Sequence, residues 1–388
     1  MKNKIKLLGA FVIVVLVGYS ISACASSGSG SNSSASNEPI VWTNVRDIAY
    51  GNGIFVAVGG GTRSSGKIAY SNDGINWTDV AEPSLIGNYA IEHIAYGGGI
   101  FVAGGSRSRI WHSTDGINWT AHPDNTERRE KIGDYVRNSR GIINQDICGI
   151  IYVNGRFIVC GNQGSLAYST DGINWIRGTI RRDGRNFFTN SIAFGNGRFV
   201  TVGTGDGEPD LDGIHRGRYA YSTDGINWTA YASDIFVSEV KGASVGSVIG
   251  GIIYGNDKFV IWGGDARYRG IQYDTKIAYS SNGTGYIPVS NTTFGTDRIL
   301  DMAYGNGRFV AVGRNGKIAY STDGINWTAV LDPAFGFSNI STITYGGGKF
   351  IAVGGGGSIM AGRSGEIKMA YSTDGTNWTP IPFGESNQ

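Results

Sequence analysis

The chain has 388 residues, a net charge of +2, 63 Gly, only 8 Pro and 12% aromatic residues. A balance so close to neutral excludes any global case for a nucleic-acid partner, whose phosphates call for a strongly basic face. No long amphipathic pattern is visible, so little helix is expected.

Lys2, Lys4 and Lys6 precede an apolar run from Leu7 to Val17, followed by small residues up to Ala23. A basic start, a short apolar core and a small-residue cleavage zone describe a secretory signal peptide over residues 1–23. The run is short for a membrane span, which takes about 20 residues. Ile21-Ser22-Ala23-Cys24 resembles the lipobox of bacterial lipoproteins, with Ile where Leu is usual. That resemblance implies cleavage before Cys24 and acylation of its thiol, which anchors the chain to a membrane of the bacterial cell envelope. The Ser/Gly/Asn-rich stretch that follows closes a segment 24–39 that reads as a flexible tether. Its 14 residues from Ala25 to Glu38 reach about 20 Å.

Residues 40–388 would suggest two domains by length, but one unit recurs seven times. The first halves read like I-A-Y-G-N-G-x-F-V-A-V-G and begin at Ile48, Ile94, Ile150, Ile192, Ile252, Met302 and Ile343. The second halves read like K-I-A-Y-S-T-D-G-I-N-W-T and are anchored by Ser71, Ser113, Ser169, Ser222, Ser280, Ser321 and Ser372. Each half is a hairpin: Asn-Gly turns in the first, Asp-Gly in the second. Four short strands per repeat, seven times, predict an all-β fold, a seven-bladed β-propeller of four-stranded antiparallel blades. The tight turns then lie on one side. Second-to-third connections and blade-to-blade links, which carry all the length variation, lie on the other.

The second hairpin resembles the Asp-box, or BNR repeat, of the sialidase superfamily, S-x-D-x-G-x-T-W, shortened here by one residue. It pairs Asp73, Asp115, Asp171, Asp224, Asp323 and Asp374 with Trp77, Trp119, Trp175, Trp228, Trp327 and Trp378. The fifth copy departs from it, with Asn282 for Asp and Tyr286 for Trp. In that family the box is a fold element away from the active site, so these residues are read as structural. The family's catalytic motifs are not found: no Arg-Ile-Pro occurs, and neither the carboxylate-binding arginines nor the Tyr-Glu nucleophile pair can be matched. The resemblance therefore implies the fold without the chemistry.

A non-catalytic, monomeric binding protein is the expected function, presenting its variable loops to a glycan or protein ligand. An envelope assembly factor and a sialidase-like glycoside hydrolase are the alternatives. Arg outnumbers Lys two to one, and all but Arg46, Arg156, Arg198 and Arg308 are expected in the variable loops. The local candidates for an anion or acidic glycan are Arg177, Arg181, Arg182 and Arg185 with Phe187 and Phe188, joined by Arg107 and Arg109. A solvated mixed-charge surface is the plainer reading. Asp206, Glu208, Asp210 and Asp212 have alternate-carboxylate spacing that can wrap Ca²⁺, though Pro209 intrudes and no closing Glu follows. No other cofactor is suggested. Cys148 and Cys160 fall opposite one another if their hairpin loop has three residues, which makes them candidates for a disulfide. A two-residue turn would offset them and leave two buried thiols. The four His are scattered and show no zinc spacing.

Overall fold

The computed structural model describes residues 42–382 apart from 62–65, 81–88, 123–127, 133–134, 140–142, 144–145, 162–163, 183–184, 206–215, 237, 241–242, 246–247, 265–274, 291–292, 332–333 and 356–366. The expected signal peptide, Cys24 and tether lie outside these residues, as do Asp206, Glu208, Asp210 and Asp212. Seven blades of four antiparallel strands stand around a common axis, the fourth with the short strand Arg181–Arg182 added to its sheet. In blade 1 the strands are Trp42–Gly51, Ile54–Gly61, Gly66–Ser71 and Thr78–Asp79, paired in chain order from the axis outward. The other blades repeat this order. Among the described residues helix is confined to short 3₁₀ turns, such as Ser106–Ser108 and Arg314–Gly316.

The turns follow from residue chemistry. Gly51 pairs with Ile54, so the loop is Asn52-Gly53, and both residues have positive φ (50° and 79°) as a hairpin turn matched to strand twist requires. All seven first turns have two residues. The Asp-Gly turns differ from expectation: Tyr70 pairs with Thr78, so each encloses a seven-residue loop rather than a two-residue turn. The reason is the Asp side chain, which gathers backbone N–H groups into a wider loop.

Blades meet through apolar side chains that point both ways from each sheet. Phe55, Phe101, Phe157, Phe259, Phe309 and Phe350 are fully buried, each worth about 1.5–3 kcal/mol of transfer free energy. The inner strands approach so closely that a Cβ on Gly51 would lie 2.0 Å from Tyr96 Cγ. The same joint, Gly346 against Tyr50, connects blade 7 to blade 1. Every blade comes from one sequence repeat, so the ring closes without strand exchange. Val45, Ile48 and Phe55 of blade 1 pack with Ile351, Val353 and Met369 of blade 7.

Each inner strand carries a bulge at the same height, between Val45 and Asp47 in blade 1 and between Ile299 and Asp301 in blade 6. The residue after it turns toward the neighbouring blade. Asp47 accepts N–H bonds from Ile48 (2.8 Å) and from Ile94 of blade 2 (3.0 Å). Asp301 does the same with Met302 (2.8 Å) and with Ile343 of blade 7 (2.9 Å), and takes the Thr342 hydroxyl as well (2.9 Å). These carboxylates stitch the ring near its axis.

Variable links form structure of their own. Strands Arg128–Ile132 and Tyr135–Ser139 make a hairpin between blades 2 and 3, and Ser238–Val240 with Ala243–Val245 make another between blades 4 and 5.

Candidate functional site

The two ends of the ring differ in kind. At the regular end, the box loop of blade 1 is closed by Asp73, which accepts N–H bonds from Ile75 and Asn76, both 2.8 Å, and the Asn76 amide at 2.7 Å. Ser71 donates its hydroxyl to the same carboxylate (3.0 Å) and accepts the Gly74 N–H (2.8 Å). The Asn76 and Ile75 backbone bonds hold the Asp73 carboxyl well below the usual range. Asp115, Asp171, Asp224, Asp323 and Asp374 repeat the arrangement. The indole N–H groups of Trp77, Trp119, Trp175 and Trp327 donate to the carbonyl of their own box glycine, while those of Trp228 and Trp378 are buried without a partner. In blade 5 Asn282 still accepts the Thr284 N–H (3.0 Å). These carboxylates are occupied by the turn they hold, as befits fold elements.

The regular end also explains arginines that the loops do not account for. Arg308 donates from Nη1 to the Asp374 carbonyl of the next blade (2.6 Å), with its guanidinium 5.4 Å from the Tyr320 ring centre. Arg156 reaches the Asp224 carbonyl, Arg198 that of Asn282, and Lys349 that of Asp73 across the ring joint. The turn residues Asn196, Asn256 and Asn306 add amide bonds to the carbonyls of Ser281, Thr322 and Thr373. Blades 1 and 2 have Ile54 and Ile100 in place of the cation, packed against the box glycines of the next blade. The result is a belt of blade-to-blade latches.

Buried titratable groups gather near the axis. Burial pushes the Asp47 carboxyl up to about 7, with Asp301 adding to it, and pushes Asp301 up to about 6. Burial, then Arg46, lowers His93 to about 4, and its Nδ1 lies 3.8 Å from Asp47. Burial raises Glu92 as well. Because Asp47 and Asp301 are engaged by backbone N–H groups, they act as staples between blades. Among the described residues no group of three or more His, Cys, Asp or Glu could hold a metal ion.

At the variable end the candidate residues stand on the turn of blade 2 and on strands of blades 3 and 4. The turn containing Arg107 packs on the inner strand Ile147–Val153 of blade 3, and the Arg107 N–H donates to Asp146 (2.6 Å). Strand Arg181–Arg182 pairs with the start of the inner strand Arg185–Gly195 of blade 4 and lies against its outer strand Thr229–Ser233. Arg177 is exposed on the outer strand of blade 3. Phe187 is fully buried among Ile158, Leu166 and Phe199, which makes it a core residue, and Phe188 is half-buried. Arg218 and Arg298 are buried too, 3% and 8% exposed, rather than displayed in loops. Sequence reasoning missed Leu331 and Phe337 in the blade 6–7 link, which are 90% and 92% exposed. Their only signal was an apolar residue inside a variable segment. Close by, the turn Arg314–Gly316 is fixed by Asn339 and Asp297.

Cys148 and Cys160 are buried thiols. Val153 pairs with Arg156, so the turn has two residues and Gly149, not Cys148, faces Cys160. The thiols donate to the carbonyls of Asp146 (3.6 Å) and Gly149 (3.7 Å).

No family model matches the chain, and no curated protein does. Solved structures of the same architecture exist. YCF48 bound to D1 peptide is 17% identical with a TM-score of 0.54, over 80% of this chain and 89% of that one. YCF48 from Cyanidioschyzon merolae is 16% identical with a TM-score of 0.52, over 80% and 92%. PorZ, described as an essential bacterial surface component of the type-IX secretion system of Porphyromonas gingivalis, is 10% identical with a TM-score of 0.52, over 89% of this chain and 39% of PorZ. At these identities the likeness is one of fold.

Proposed function

We propose that this chain is an exported, monomeric lipoprotein that binds a protein or glycan ligand through the variable end of its propeller. The observation that carries the reading is the contrast between the ends. All seven first turns have two residues and all seven box loops have seven, and their polar side chains are engaged in turns and latches. The other end carries the differences in length between blades, including two added hairpins, and the exposed Phe337 and Leu331. Binding residues concentrate on loops set on a rigid frame. A protein segment is the favoured ligand, because YCF48, a propeller of this fold, is described bound to a D1 peptide.

The box geometry supports kinship with the Asp-box repeats of the sialidase superfamily, taken here as a fold without catalysis. Lipid on Cys24 and the 24–39 tether would place the ring near an envelope membrane. An assembly or scaffold role is the second reading, favoured by the surface secretion component PorZ.

The test has two arms. Cells fed an alkyne fatty acid should label the chain, and a Cys24→Ser variant should not. The full chain, cross-linked in its native envelope, should join a partner through residues of the variable end. Cross-links confined to the box loops would contradict the proposal. A glycan array with and without Ca²⁺ decides between the ligand classes.

A further inference from the structure

The second-to-third strand turn of blade 2 is built from the wrong residues for its shape. Arg107 has φ 59°, ψ 34° and Ser108 has φ 58°, so two successive non-glycine residues are left-handed. The matching turn of blade 6 uses Asn315 (φ 54°) and Gly316 (φ 68°), the residues that tolerate this conformation. Each misfit is unfavourable for a residue with a Cβ, and such strain persists where the surroundings hold it. Here they do. The Arg107 N–H is tied to Asp146 at 2.6 Å, and the buried Ser108 hydroxyl donates to the Ile143 carbonyl.

The strained turn presents two guanidinium groups to one ring. The Arg109 guanidinium carbon lies 3.7 Å from the centre of Tyr89, and that of Arg107 lies 5.5 Å from it. In other blades the cation at the position of Arg109 is used internally. Lys67 pairs with Asp79 (2.5 Å), Lys317 with Asp297 (2.8 Å), and Lys368 donates to the Phe335 carbonyl (3.5 Å). Blade 2 has Ala121 where blade 1 has Asp79, as the matching registers show. Arg109 Nε is buried without a hydrogen-bond partner. One face of its guanidinium lies against Tyr89, and the planar fork of an arginine suits a two-pronged acceptor.

We propose that the Arg107–Arg109 turn with Tyr89 is a carboxylate-binding site, which receives Asp or Glu side chains from an acidic segment of the protein ligand. The inference rests on the variable end being the binding end and adds the chemistry recognised there. A carboxylate fits better than a phosphate dianion, because the Asp146 carboxylate already sits at the turn and repels a second negative charge.

The probe is a fluorescent heptapeptide alternating Glu and Gly, compared with its Gln-Gly counterpart, titrated with the full chain by anisotropy at physiological salt. The Glu peptide should bind at least tenfold more tightly than the Gln peptide. Arg109→Gln and Arg109→Lys should each weaken it at least fivefold with the melting temperature retained, the second because Lys keeps the charge and loses the fork. Arg107→Asn with Ser108→Gly, which copies the blade 6 turn, should keep the chain folded and weaken binding at least threefold. Equal binding of the two peptides, or full binding by folded Arg109→Gln, overturns the proposal. Envelope capture separates the two readings. A partner still held by Arg109→Gln sinks this site alone, whereas a partner lost only on changing exposed Ile117 of a box loop to Glu sinks the choice of end.

Discussion

Replacing Gly51 with Ala tests how the ring is joined. Gly51 has no left-handed φ, so its backbone suits any residue and the whole effect is one of packing. An added Cβ would sit 2.0, 2.2 and 2.4 Å from Tyr96 Cγ, Cδ1 and Cδ2, where ordinary contact begins near 3.4 Å. Either blades 1 and 2 part by about an ångström, or the Tyr96 ring leaves Phe101, now 4.6 Å away between centres. Overpacking of this kind costs about 1–3 kcal/mol. Tyr96→Ala should itself cost about 3 kcal/mol as a large-to-small change, but it removes the three atoms that meet the new methyl. Denaturant unfolding followed by Trp fluorescence closes the double-mutant cycle. The double variant should be no less stable than Tyr96→Ala alone, a coupling of at least 1 kcal/mol. Gly53→Ala, in open space at φ 79°, provides the contrast of strain without contact. Additive losses for Gly51→Ala and Tyr96→Ala would refute the reasoning.

The latches make a second case. Arg308→Ala should destabilise by about 1–3 kcal/mol through its lost hydrogen bond, and Arg308→Ile by less, since Ile54 and Ile100 already serve at this place; urea midpoints check the order. The axial carboxylates set a pH trend. The fold holds Asp47 to about 7 and Asp301 to about 6 against 3.8 in the unfolded chain, so the folded state binds extra protons between pH 4 and 7 and stability falls as pH rises through that window. His93, lowered to about 4, and His112, also lowered by burial, oppose this, Glu92, raised by burial, adds to it, and the box aspartates act only below the window. Urea midpoints should therefore be lower at pH 8 than at pH 5, with a smaller difference in Asp301→Asn; a rise toward pH 8 contradicts the assignment. Unfolded without reductant, the chain should take up an alkylating reagent at both Cys148 and Cys160, read by mass, and a mass lacking both additions argues against the offset register.

The sevenfold ring was legible because its signals are local. Asn52-Gly53 and its counterparts dictate a two-residue turn, and the Ser-Asp-Gly-Trp spacing dictates a loop wherever it occurs. Partnerships between blades were not legible, because they join residues about 40 to 300 positions apart. Nothing beside Arg308 in sequence says that its guanidinium meets the carbonyl of Asp374. Likewise Phe187 reads as a loop aromatic until the long inner strand Arg185–Gly195 carries it into the core. The fifth blade shows why a departure from the repeat need not weaken it. Tyr286 replaces Trp, and Tyr219 of blade 4, where other blades have an aliphatic residue, packs edge-on against it at 5.9 Å.

The most direct measurement compares matched surface changes at the two ends for capture of the same envelope ligand. Phe337→Glu and Leu331→Glu alter exposed residues of the variable end, and Ile117→Glu and Ile226→Glu alter exposed residues of the box loops. Loss of capture with the first pair and full capture with the second is the expected result. Capture that survives the first pair and fails with the second would place recognition on the regular end and contradict the account.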